Sequence, residues 1–153
     1  MSINDLRVRR PRDKDVLLQQ LRDEAGFPTM RDAILFAAAL GFANGQSESF
    51  EVSSEPIRYE TLVDPPFADT LVLMVAAAAN PEDAEIVGHD RLAEAIKVFE
   101  GYANGGLSFL QGEINASNET ADAVCLRLAT SALSQDVGSR PRIDSLAEEL
   151  TWG

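Results

Sequence analysis

Apolar and polar side chains alternate in Leu6-Arg7-Val8-Arg9-Arg10, which puts Leu6 and Val8 on one face of a short strand and Arg7 and Arg9 on the other. Arg10 departs from this pattern, because it falls on the face that should be apolar. Pro11 ends the strand, and Asp13 and Asp15 suit the first turn of a helix. The period then lengthens: Val16, Leu17, Leu21 and Ala25 make one helical stripe, closed at Gly26. Thr29 is placed to cap a second helix, with Asp32 where a capping box needs a carboxylate. Met30, Ala33, Ile34, Ala37 and Leu40 give that helix its inner face, and the small residues Ala37–Ala39 and Gly41 let another backbone approach closely.

Beyond Gly41 the chain turns polar through Ser49. Phe50-Glu51-Val52 and Ile57-Arg58-Tyr59 alternate like short strands, forming either a hairpin or an extended arm on the core. After Pro65-Pro66, Ala68–Ala79 predicts a core helix stopped at Asn80-Pro81, with a short helical turn over Glu82–Val87. Asp90–Asn104 reads as an amphipathic helix with Leu92, Ala95, Ile96, Phe99 and Ala103 inward, closed by Gly105-Gly106. Leu107–Ile114, Ala121–Leu133 and Ile143–Leu150 predict three more helices, with Asn118 or Thr120 capping the second. Trp152 is either a packing anchor or an exposed contact residue. The expected fold class is mainly α: one helical domain with an N-terminal strand, two helices and one or two further short strands. Its segments are a strand–helix–helix unit (1–44), a connector or arm (45–66) and a helical remainder (67–153).

Charge changes this picture. Seven of the 13 basic residues lie in residues 1–31 against five of the 25 acids, so that segment is +2 and the other 122 residues are −14. The net charge of −12 repels free nucleic acid, so any DNA contact must be local, and only Lys14 and Lys97 are lysines. The single cysteine, Cys125, excludes an internal disulfide and reads as a core residue in a reducing compartment. With no apolar signal core at the N-terminus and an apolar run over Thr70–Ala79 about half a membrane span long, a cytoplasmic protein without membrane contact is expected.

Strand, helix, helix with a basic strand resembles the ribbon-helix-helix family of DNA-binding dimers, over about the first 42 residues. That resemblance implies a homodimer in which two strands pair and enter the major groove. Arg7 and Arg9 would face bases, and the Gly26–Thr29 turn would offer helix amides to a phosphate. Arg10, Arg12 and Lys14 complete the candidate DNA-binding set with Arg7, Arg9 and Thr29. The plain alternative is an edge strand with solvated arginines.

A second resemblance rests on Phe99-Glu100-Gly101-Tyr102-Ala103-Asn104-Gly105-Gly106-Leu107, with Arg12-Asp13-Lys14-Asp15, Ile34–Gly41 and Phe67. These words are similar to those of the DNA phosphorothioation-associated proteins of bacteria. The resemblance covers most of the chain. It implies an accessory factor of a modification, restriction or antiviral defence cluster whose other proteins are its partners, and it supplies no catalytic residues. Tyr102–Gly106 then reads either as a partner-facing loop or as a helix end in which glycine takes the left-handed conformation.

Candidate chemistry is thin. No phosphate-cradling GxxxxGK[ST] loop, CxxC or HxxxH occurs, and no G-x-S-x-G elbow accompanies His89. Glu85 and His89 would share a helical face and hold a metal, but Gly88 interrupts them, so a solvated acidic helix start is the preferred reading. Lys97 follows Glu94 by three and is expected to pair with it. Neither cofactor nor metal is expected. Three functions stand: a non-enzymatic accessory protein touching DNA or a DNA-bound complex; an acidic protein-interaction subunit without DNA contact; and, least favoured, a nuclease using the acids between Glu82 and Glu94.

Overall fold

The computed structural model describes residues 5–139. Two long helices make the centre. Helix α2 (Met30–Ala43) lies against α5 (Leu92–Ser117), and their shared face is built from residues without bulk. A Cβ on Gly106 would stand 1.7 Å from the Ala37 carbonyl oxygen, and one on Gly41 would stand 2.1 Å from that of Tyr102. The backbones therefore touch where side chains usually intervene. The close approach expected of Ala37–Gly41 is met by α5.

The same packing corrects the reading of Tyr102–Gly106. Gly105 and Gly106 do not end a helix; α5 runs unbroken for 26 residues and joins the two helices expected on either side of them. Paired glycine after an apolar helical stripe signals a stop, but here it is a spacer. A Cβ on Gly105 would stand 2.1 Å from the Gln46 carbonyl oxygen, so this turn of α5 also receives the arm that follows α2. The helix ends instead at Asn118, which takes the left-handed conformation with φ 57°.

Strand β1 (Arg7–Pro11) pairs antiparallel with β2 (Ser53–Arg58) of the same chain. Val8 faces Ile57 and Arg10 faces Ser54, so β2 carries one extra residue between them, where Pro56 has no N–H for the ladder. Phe50–Val52 stays outside the strand, and Tyr59 opens a short helix, α3 (Tyr59–Leu62). The strand–helix–helix order at the N-terminus holds, with α1 (Asp15–Glu24) leading into α2. Helix α4 (Ala68–Ala79) and a 3-10 turn over Ala84–Val87 pack against α5, and α6 (Ala121–Ser139) packs across α1 and α5.

The core joins Val8, Leu18, Leu21, Leu62, Val72, Phe99, Leu107, Leu110 and Val124, all fully buried. All five residues expected inward over Asp90–Asn104 are buried. The α1 stripe is rotated from the expected one: Leu17, Leu18 and Leu21 are inside while Val16 is 79% exposed, and Leu133 of α6 is also outside. Cys125 is buried, and burial pushes its thiol up to about 11. No helix among the described residues is long and apolar enough to cross a membrane. The helix expected over Ile143–Leu150 and Trp152 lie outside the described residues.

Candidate nucleic-acid interface

Strand β1 is held on both sides by its own chain. One edge carries the β2 ladder. On the other, the Arg9 backbone N–H donates to Glu100 Oε2 at 2.7 Å, and its Nε donates to Oε1 at 3.1 Å. The Arg9 guanidinium also pairs with Glu100 at 3.0 Å and lies 4.7 Å over the Phe50 ring. Glu100 is a buried carboxylate on α5, 4% exposed, and a carboxylate so placed requires this kind of compensation. The pairing of two copies through β1, which the ribbon-helix-helix resemblance implies, would have to displace the Glu100 carboxylate from the Arg9 N–H. The two-stranded ribbon is completed within one chain.

The remaining candidates separate. Arg10 donates from Nε to the Glu55 carbonyl at 2.8 Å and reaches Met30 Sδ, so the residue that broke the strand pattern is tied down across the bulge. Lys14 is largely covered; it donates to Asn104 Oδ1 at 3.0 Å, and Asn104 Nδ2 donates to the Glu48 carbonyl at 3.1 Å. Thr29 caps α2 as expected, accepting from the Asp32 N–H at 3.2 Å, and its hydroxyl donates to the Asp32 carboxylate at 2.8 Å. That carboxylate puts a negative charge in the first turn of α2, where a phosphate would meet repulsion. Arg12 is exposed, with a long 3.5 Å bond to the Ser53 carbonyl.

Arg7 and Arg9 come together with a residue absent from the sequence-derived set, Lys97. The three cations and Glu100 line a cleft of 230 Å³ between β1 and α5. Arg9, Lys97 and Glu100 also border the adjoining cleft of 300 Å³, with Ser47, Ser49 and Phe50 on its far side. The pair expected between Lys97 and Glu94 does not form, because Glu94 is taken by Arg91 at 2.7 Å. Across the ribbon, exposed Arg7 stands opposite exposed Arg58, a like-charge cross-strand pair. The cleft thus holds three cations against one carboxylate, and that carboxylate is already bound to Arg9.

Two of the acids that a nuclease could use, Asp83 and Glu94, are engaged by Arg91. Arg91 donates to both Asp83 oxygens at 2.7 Å. Its hydrogen bonds hold Asp83 and Glu94 below the usual carboxylate range. Glu85 and His89 are separated by extended Gly88 (ψ 151°), not joined on one helix. Among the described residues no three His, Cys, Asp or Glu side chains form a group fit for a metal.

Fold and site together define a mainly helical protein whose small cationic sheet is fastened to its central helix through a buried carboxylate. The chain belongs to the family described as DNA sulphur modification system-associated protein 4, whose model matches residues 7–145. The resemblance read from the Phe99–Leu107 segment and its companions is borne out. The family's name indicates an accessory protein of a DNA sulphur modification system. No curated protein and no solved structure matches the chain.

Proposed function

We propose that this protein is a non-enzymatic accessory factor that meets the sugar–phosphate backbone of DNA through the cleft between β1 and α5. The convergence of Arg7, Arg9 and Lys97 on one cleft, in a chain of net charge −12, carries this reading. Such a cleft suits phosphates, which position a protein on DNA without reading its sequence. Arg12 and Arg58 extend the cationic ribbon beside it. The contact is local, and the acidic body restricts it to that ribbon.

The test is an Arg7→Ala/Lys97→Ala double variant in duplex binding measured across a salt series. Arg9 is left in place because it holds Glu100. Loss of two phosphate contacts lowers the slope of log affinity against log salt by about 1.8. Unchanged affinity with an unchanged slope overturns the DNA contact.

A second reading is favoured by a different observation. Arg10, Lys14 and Thr29 are engaged inside the fold, and the residues after position 31 are −14. An acidic subunit that binds basic surfaces of the system's other proteins accounts for this without DNA. Copurification with those proteins, together with no measurable duplex binding, selects it.

A further inference from the structure

A second cavity, of 250 Å³, opens where α3, α4 and the start of α5 meet. Its walls include Val63, Leu73 and Leu92, and its polar lining is Tyr59, Glu60, Asp69 and His89. No arginine or lysine lines it. The volume lies below that of a drug-sized ligand site and suits a short aliphatic chain.

Two observations say what the polar end accepts. Tyr59 is buried as a residue, and its hydroxyl, which keeps some solvent contact, has no hydrogen-bond partner among the described residues. Burial, followed by the charge of Asp69, pushes this phenol up to about 12, so it remains a neutral group able to donate and accept. Asp69 uses Oδ1 to accept from the Thr70 N–H at 2.8 Å and has no ion-pair partner among the described residues. Glu60 is different, since Arg58 offsets its charge at 3.5 Å. The cavity therefore offers an exposed carboxylate with no ion pair among the described residues, a phenol hydroxyl with no protein partner there, the His89 imidazole and an aliphatic wall.

We infer that this cavity binds a primary alkylammonium group, its charge held between Asp69 and Tyr59 and its stem against Val63, Leu73 and Leu92. An ammonium supplies N–H donors to both oxygens and a positive charge beside Asp69. A carboxylate or phosphate ligand meets repulsion from Asp69. A neutral alcohol gains the wall but leaves the charge unanswered. The group is available from two sources, a free alkylamine or the lysine side chain of a protein partner.

The test titrates the full chain with n-pentylammonium chloride and, in parallel, with neutral 1-pentanol, following backbone amide resonances. The expected result is a saturable shift of the Tyr59, Leu73 and Gly88 amides with the ammonium, and affinity for the alcohol weaker by about tenfold or more. Asp69→Asn lowers ammonium affinity about tenfold and leaves the alcohol unchanged; Tyr59→Phe, which keeps the buried ring, lowers it in the same direction. A lysine tripeptide blocked at both ends distinguishes the sources: tighter binding than pentylammonium assigns the site to a partner's lysine, weaker binding to a free amine. No saturable shift, equal binding of alcohol and ammonium, or undiminished binding by Asp69→Asn overturns the inference.

Discussion

Glu100→Gln tests the most consequential single side chain of the N-terminal half. The amide keeps the shape but removes the charge that balances Arg9, and it turns one acceptor into a donor facing a guanidinium. Arg9 is 37% exposed, so water answers part of the loss and the full cost of breaking a buried pair does not apply. The expected destabilisation is about 2 kcal/mol, read as a lower midpoint in urea unfolding. An Arg9→Met/Glu100→Leu double variant is expected to recover part of it, because two apolar groups leave nothing unsatisfied. Glu100 was not legible in the sequence. Its partner lies 91 positions away, and a glutamate in mid-helix looks like any solvated one until the strand is placed beside it. Lys97 was misassigned for a related reason: spacing on a helix shows which residues share a face, not which of two cations a glutamate prefers. Arg91 takes Glu94 with the better geometry because it bridges to Asp83 as well.

At the scale of elements, the α2–α5 contact gives the sharpest contrast. Gly106→Ala places a methyl where the Ala37 carbonyl oxygen already stands at 1.7 Å, and rigid helical backbone is on both sides. The helices must separate, and the expected cost exceeds about 3 kcal/mol. Gly112 is in the same helix, yet its added Cβ meets nothing within 4 Å. Gly112→Ala is therefore expected to stabilise by about 0.5–1 kcal/mol, through helix propensity and a less flexible unfolded chain. Thermal or denaturant unfolding of both variants checks the pair; equal effects would mean that the close approach is not what Gly106 provides. Half of this was legible. Ala37–Gly41 signalled a close approach by composition alone, whereas Gly105-Gly106 carries the same composition as a helix stop. Only the presence of α2 and of Gln46 above those glycines decides between stop and spacer. The capping of α2 was legible in full, because Thr29 and Asp32 act on each other over three residues and need nothing distant.

For the molecule as a whole, the charge split along the chain was legible, but its spatial meaning was not. The arginine alternation located a strand and could not say that the strand's partner begins at Ser53 of the same chain. Nor could it say that the cations to be grouped with Arg7 and Arg9 include one from α5. The net charge of −12 has a consequence of its own: repulsion among unpaired carboxylates opposes the compact state. Salt screens that repulsion, and it also screens the exposed pairs such as Arg91–Glu94 and Arg127–Glu113. The pairs are individually worth about 0–1 kcal/mol, and acids outnumber bases 25 to 13, so the repulsive sum governs the sign. Raising ionic strength from about 0.01 M to about 0.15 M is expected to add about 1 kcal/mol to stability, a rise of about 2–4 °C in Tm by calorimetry. An Arg91→Gln variant removes one positive charge together with its two carboxylate pairs, so its rise with salt is expected to be steeper than that of the unaltered chain. A falling Tm would instead make the ion pairs the dominant electrostatic contribution and would set the acidic surface down as structural, not as charge held in reserve for a partner.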